Sequence, residues 1–311
     1  MKINLSDIEK EFKNYGYIVD ENTIYAVYTA LMLEKPLLID GPAGTGKTEI
    51  AKVLSNIFNA KLIRLQCYEG IDFSKVLYEV DYAKKLFRQV LFQGIGGSKI
   101  DALLKGKKFT DVVEQLENEM GINGEEFIIE RPVYEAINPN NKETKVLLID
   151  EIDKADSEVE NMLLETLSDF SISIPEVGTI ECDKKNKPIV VLTSNADREL
   201  SEALRRRCVY LRLDYPSVNT EMEILKSKAN VSDEFAKSVA ELIFNIREKV
   251  KLRQKPSIAE SIEWANTLFN FLGVKEVNSL FLNEIKNSLC VLSKNHKDIE
   301  KISVFLEEEL S

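Results

Sequence analysis

Three short runs of nearly unbroken apolar residues punctuate the chain: PLLID at 36–40, VLLID at 146–150 and IVVLTS at 189–194. Such a run, followed at once by polar residues, marks a strand buried on both faces, where apolar and polar positions cannot alternate. KLIRLQ at 61–66 and CVYLRLD at 208–214 complete a predicted set of five strands. Between them the periodicity changes to that of a helix. ENTIYAVYTALMLEK sets Ile24, Val27, Leu31 and Leu33 near one face, the first 33 residues read as helical, and GKTEIAKVLSNIF reads as a helix after the first strand. Strands alternating with helices predict an α/β fold: a mostly parallel five-stranded sheet covered on both faces, in three layers.

After DYP at 214–216 the strand signals stop, and residues 220–311 read as helices only. DEFAKSVAELIFNIREKV has apolar residues at 235, 239, 242, 243 and 246, a helical spacing. PSIAESIEWANTLF opens on Pro256 and the capping box Ser257-x-x-Glu260. Further helices are predicted near 276–292 and 298–309. The chain therefore divides at about Asp214 into an α/β domain, 1–214, and a small helical domain, 215–311. Two segments interrupt the alternation: a long excursion over 67–130, and SISIPEVGTIEC at 171–182, which predicts a β-hairpin turning at Pro-Glu-Val-Gly.

Charge narrows the function classes. The net charge is −11, from 41 basic and 52 acidic residues. Affinity for a phosphate backbone comes from clustered Lys and Arg, so nucleic acid is a poor general partner. Cys67, Cys182, Cys208 and Cys290 form no CxxC pair and read as reduced, buried thiols of a cytoplasmic protein. The single histidine, His296, reads as a solvated loop residue, not a zinc ligand. No apolar run reaches the length of a membrane span, and the N-terminus has no signal-peptide core.

The strongest chemical signal is Gly41-Pro42-Ala43-Gly44-Thr45-Gly46-Lys47-Thr48, which matches GxxxxGK[ST] and lies between a predicted strand and helix. Glycines let backbone N–H groups close around phosphate oxygens, and a helix N-terminus adds favourable dipole charge. Lys47 would reach the β- and γ-phosphates, and the Thr48 hydroxyl would ligate Mg²⁺. VLLID ends in Asp150 and Glu151 at the carboxyl end of a buried strand, where open α/β sheets bind ligands. Asp150 would hold Mg²⁺ through water, and Glu151 would polarise the attacking water. Thr193-Ser194-Asn195 ends another strand. Asn195 either positions that water and senses the γ-phosphate or belongs to an ordinary polar turn.

Arg205, Arg206 and Arg207 stand in a row about one helix after Asn195. One of them can serve as an arginine finger on a neighbouring subunit's phosphate. The alternatives are a helix C-terminal charge cluster and surface salt bridges.

With these motifs in order, the chain resembles an AAA+ ATPase, and more narrowly the MoxR family. LLIDEIDKAD, LLETLSDFSISIPEVGTI, VVLTSN and LSEALRRRC are similar to that family's Walker B, pre-sensor hairpin, sensor 1 and arginine-finger segments. RLQCYEGIDFSKVLYEVDYAKKL and RPVYEAI resemble a branch found beside proteins with a von Willebrand factor A domain, which includes an ATPase implicated in maturing carbon monoxide dehydrogenase. The resemblance implies a P-loop NTPase core with a helix-2 insert at about 67–90 and the pre-sensor hairpin at about 171–182. It also implies a helical lid, ATP as the nucleotide, a ring that is usually hexameric, and a client protein. Arg207 falls on the finger position and Arg206 is next. Where many AAA+ lids place an arginine, this chain has Ala259, with Arg253 and Lys255 just upstream as substitutes. Gln66 either contacts and gates Glu151 or is a plain surface residue. The competing readings are a nucleic-acid-linked motor or restriction-associated NTPase, and a nucleotide-gated switch with little turnover.

Overall fold

The computed structural model describes residues 4–87, 125–175 and 177–310. Its sheet contains β1 (Leu37–Asp40), β2 (Lys61–Gln66), β5 (Lys145–Asp150), β8 (Ile189–Ser194) and β9 (Val209–Arg212). They pair in the order β2-β5-β8-β1-β9, with every pairing parallel. Five strands were expected, and five form; the last is shorter than CVYLRLD by a residue before and two after.

The apolar runs are continuous because both faces of the sheet are covered. In β5, Leu147 and Ile149 enter one core cluster while Val146 and Leu148 enter the other. In β1, Leu38 faces the first cluster and Leu37 and Ile39 the second. Each such side chain withdrawn from water contributes on the order of 1.5–3 kcal/mol.

The N-terminal segment is two helices, α1 (Leu5–Asn14) and α2 (Glu21–Leu33), separated by a turn at Tyr15–Gly16. Ile24 and Val27 of α2 are buried and Leu31 is half-buried, but Leu33 is 56% exposed. Nine residues after Ile24 is about 900° of helical rotation, the opposite side. The next helix, α3 (Lys47–Ile57), follows the glycine-rich loop, and α4 (Phe73–Val76) opens the first excursion. That excursion continues as an antiparallel ribbon of β3 (Tyr78–Val80) and β4 (Ile128–Glu130) and ends in α5 (Pro132–Ile137). Most of 91–125 lies outside the described residues. The second excursion forms the expected hairpin, β6 (Ser171–Ile174) against β7 (Gly178–Glu181), after α6 (Ser157–Asp169).

Every regular element beyond β9 is helical, and these helices have their own apolar cluster, which includes Phe235, Ile243, Ile246 and Trp264. The longest are α8 (Val218–Ala229), α9 (Asp233–Lys249) and α13 (His296–Leu310), with α7 (Glu202–Arg207) preceding β9. Ser257 and Glu260 close the expected capping box at the start of α10 (Ile258–Asn266): Glu260 N donates to Ser257 Oγ at 3.2 Å, and Ser257 N donates to Glu260 Oε2 at 2.8 Å. The stretch 276–292 is broken into a 3₁₀ turn, α11 (Leu282–Asn287) and α12 (Leu289–Leu292). His296 is not a loop residue. It is the first residue of α13, its side chain is 85% exposed, and its Nδ1 lies 3.4 Å from Glu300 Oε1. All four cysteines are free, but only Cys67 is buried as expected; Cys182 and Cys208 are half-buried and Cys290 is exposed. Among the described residues no helix is long and apolar enough to cross a membrane.

Candidate functional site

Parallel pairing brings the carboxyl ends of the strands to one edge. Asp40 is in register with Ser194 and with Arg212, and Gln66 with Asp150. The loop that leaves β1 there is held by close approach: a Cβ on Gly41 would sit 2.0 Å from Leu213 O, and one on Gly44 would meet Ser257 Cβ at 2.2 Å. Gly44 also has φ +75°, a conformation that L side chains rarely adopt. Ile258 N donates to Gly44 O at 3.1 Å, so the loop is pinned to the start of α10. At the start of α3, Gly46 provides no side-chain cap, leaving the first amides of the helix open to an anion.

Lys47 is buried beneath the loop. Its Nζ donates to Gly41 O at 2.7 Å, Pro42 O at 2.7 Å and Asn195 Oδ1 at 2.8 Å. Burial pushes its pKa down, against the opposing pull of Asp153, Asp40, Asp150 and Glu151. Asp150 Oδ1 accepts from Thr48 Oγ1 at 3.1 Å and from Thr193 Oγ1 at 2.5 Å. Its Oδ2 accepts from Arg64 Nη2 at 2.6 Å.

Glu151 has a left-handed backbone, φ 56° and ψ 49°, fixed by its N–H donating to Thr193 Oγ1 at 2.9 Å. A non-glycine residue held there costs on the order of 1–3 kcal/mol and is typical of functional sites. Its carboxylate accepts from Gln66 Nε2 at 3.0 Å, Lys154 Nζ at 2.6 Å and Asn195 Nδ2 at 3.4 Å. The structure thus contains the Gln66–Glu151 contact and puts Asn195 between Lys47 and Glu151.

Lys47, Arg64, Asp150, Glu151, Thr193 and Asn195 line a cavity of about 850 Å³. Its opposite walls carry Tyr17, Ile18 and Val19 from the N-terminal segment and Ile224, Ile258 and Ile262 from the helical part. Tyr17 Oη donates to Gly46 O at 2.9 Å, and burial raises its phenol pKa. Thr45, Thr48, Asp150, Glu151 and Asn195 all line the cavity; so does Ala259. Arg253 and Lys255 do not. They line a separate cavity beside Pro42 and Ala43, and Lys255 Nζ lies 3.3 Å from Glu248 Oε1. Neither lines the cavity that Ala259 lines in this structure.

Arg205, Arg206 and Arg207 are exposed on α7, and none lines the cavity. Arg206 pairs with Glu202 at 2.5 Å, and Arg205 lies 3.6 Å from Glu199. Arg207 makes no ion pair among the described residues.

The sequence reading missed Asp153, which is buried and holds the Asn195 loop: its Oδ2 accepts from Asn195 N at 3.1 Å and Asp197 N at 3.0 Å. The signal was present as the third acid of IDEIDKAD. It also missed Arg64 and Arg212 as cations lining the cavity.

A triphosphate with a hard divalent cation fits this donor set. The loop and helix start supply N–H groups, and Thr48 and Asp150 converge as oxygen ligands. Among the described residues no group of three or more His, Cys, Asp or Glu could hold a metal alone. Mg²⁺ suits such a site, since it takes one or two protein oxygens and completes its shell with phosphate and water.

A glycine-rich loop between the first strand and helix of a parallel five-stranded sheet, with a helical C-terminal region, defines an AAA+ P-loop NTPase fold. Residues 37–214, more than half of the chain, match the model of the ATPase family associated with various cellular activities (AAA), and the chain belongs to that family. It is 24% identical over 227 residues to an uncharacterised protein of Staphylococcus saprophyticus, covering 71% of this chain and 72% of that protein. Over 213 residues it is 24% identical to replication factor C subunit 3 of Arabidopsis thaliana, covering 66% of this chain and 52% of the relative. Among solved structures, a Thermotoga maritima RuvB variant superposes with a TM-score of 0.48 at 16% identity, covering 93% of this chain and 70% of the other.

Proposed function

We propose that this chain hydrolyses Mg²⁺–ATP in the cavity beside Lys47 and couples hydrolysis to remodelling or maturing a client protein, as a MoxR-type ATPase. The observation that carries the nucleotide reading is the convergence of Lys47, Thr48, Asp150, Glu151 and Asn195 on one cavity. Loop residues Gly41, Pro42, Ala43, Gly44, Thr45 and Gly46 would wrap the phosphates, with Lys47 between the β- and γ-phosphates. Thr48 and Asp150 would hold Mg²⁺, which when bound neutralises charge on those phosphates. Glu151 Oε2 accepts from Gln66 and Lys154 while Oε1 accepts only from Asn195, so a water can reach the carboxylate at Oε1. Asn195 orients that water from the opposite side.

The neighbour's Arg207, or Arg206 next, would complete the site. All three arginines lie outside their own chain's cavity, which suits a finger acting across a ring interface. We assign a ring, hexameric by resemblance, with residues 1–214 as the nucleotide-binding domain and 215–311 as its lid, in the cytoplasm. A von Willebrand factor A partner rests on the resemblance of residues 64–86 and 131–137. The first excursion supports a docking role, because Tyr68, Phe73, Tyr82, Leu86 and Ile129 are exposed on it. Purified protein is tested for Mg²⁺-dependent ATP hydrolysis with and without single-stranded DNA, and a Glu151→Gln variant is used to trap and identify the bound protein. Stimulation by DNA without any captured client would overturn the client reading in favour of a nucleic-acid motor.

A further inference from the structure

Three of the roughly four acceptor positions on the Asp150 carboxylate are engaged, one of them by a cation. Oδ1 takes the hydroxyls of Thr48 and Thr193, and Oδ2 takes Arg64 Nη2 at 2.6 Å. The same Nη2 donates to Gln66 Oε1 at 2.6 Å, and Gln66 Nε2 donates to Glu151 Oε2 at 3.0 Å. One guanidinium therefore ties the acid proposed to hold Mg²⁺ to the acid proposed to polarise water.

The tie follows from strand geometry. Arg64 and Gln66 are two residues apart on β2 and share a face. β2 is an edge strand whose register sets Gln66 beside Asp150. Arg64 is not locked in place: its side chain is 54% exposed and lines the same cavity as Lys47 and Thr48. The lid contributes Ala259 to the cavity, while Arg253 and Lys255 face elsewhere.

We propose that Arg64 is a switched cation. Without nucleotide it is the counter-ion of Asp150. With Mg²⁺ and a nucleoside triphosphate bound, Asp150 would hold the metal, and Arg64 would leave it for the terminal phosphate and release Gln66. Asp150 would keep a cation beside it throughout, and the terminal phosphate would gain one from its own subunit. This inference rests on the proposed nucleotide site.

The experiment measures binding rather than turnover. Affinities for a non-hydrolysable ATP analogue and for ADP are determined by calorimetry in wild type and Arg64→Ala, together with the Mg²⁺ concentration that half-saturates analogue binding. Arg64→Ala should lower the preference for the triphosphate about tenfold or more, the scale of a lost hydrogen bond to a charged group. It should also lower the half-saturating Mg²⁺, because the competitor for Asp150 is gone. Arg64→Gln is read the same way and serves if the alanine variant does not fold. An unchanged triphosphate preference, or a Mg²⁺ requirement that is unchanged or raised, overturns the switch. Wild-type protein that binds neither nucleotide would instead overturn the site itself.

Discussion

Thr48 Oγ1 donates to Asp150 Oδ1 across 3.1 Å, although 102 residues separate the two in sequence. The contact exists because β1 and β5 end at the same edge of the sheet, with β8 between them. A hydroxyl from the loop and a carboxylate from a strand end are thereby held as a pair of hard oxygen ligands, the donor set that Mg²⁺ prefers.

Lys47 tests the nucleotide site most directly. Its ammonium is buried under the loop, held by two loop carbonyls. Lys47→Ala should weaken ATP binding by about 10- to 100-fold, the range for a hydrogen bond to a charged group. Titration with a fluorescent ATP analogue measures it, and unchanged affinity would place the phosphates elsewhere.

Glu151→Gln should keep ATP affinity within a few fold while hydrolysis falls by about 10²-fold or more, as for loss of a positioned base. The amide can keep its place beside Asn195 but cannot accept a proton. Single-turnover phosphate release is the measurement, and a wild-type rate would remove Glu151 from the water-activating role.

Arg207→Ala should bind nucleotide normally and lose hydrolysis by on the order of 10³-fold. Mixed with Lys47→Ala subunits, it should regain some activity, because a mixed interface can pair an intact loop with an intact finger. Absence of rescue in rings shown to be mixed would count against a residue supplied by the neighbour.

Stability of the helical part should depend on Arg247. It is buried, donates to both carboxylate oxygens of Glu221 at 2.6 and 3.0 Å, and also bonds Pro256 O and Ser261 Oγ. Arg247→Ala strands Glu221 in the interior and should cost about 3–5 kcal/mol in denaturant unfolding. A cost under about 1 kcal/mol, the range for exposed pairs, would show that water reaches the carboxylate.

The thiols predict a pH response. Burial pushes Cys67 and Cys208 up to about 12 from an ordinary 9.0. Between those values the unfolded chain loses protons that the folded chain keeps. Stability from this source is therefore fully present below about pH 9 and falls as pH rises toward 12. At neutral pH, exposed Cys290 should react with a thiol reagent first, and Cys67 only on unfolding. Rapid native labelling of Cys67 would contradict the burial.

Local pattern alone determined a good deal. The strands 36–40, 146–150 and 189–194 were legible because a strand covered on both faces is apolar at nearly every position, while edge strand 61–66 shows alternation, with Ile63 and Leu65 buried between exposed Lys61, Arg64 and Gln66. The GxxxxGK[ST] loop was legible because its glycines, lysine and threonine are consecutive. The hairpin at 171–182 and the capping box at Ser257 are likewise short-range features. Leu33 leaves the buried face of Ile24 because nine residues of helix turn it to the opposite side. What only the tertiary structure decided are relations between strand ends. Asp153 reaches under the Asn195 loop, Arg64 reaches Asp150 from an edge strand, and Arg253 and Lys255 line a cavity separate from the one Ala259 lines. The first two depend on strand order, and the order β2-β5-β8-β1-β9 does not follow the order of the chain. Periodicity reports which face of an element is buried, whereas the choice of neighbour is settled by how whole faces pack together.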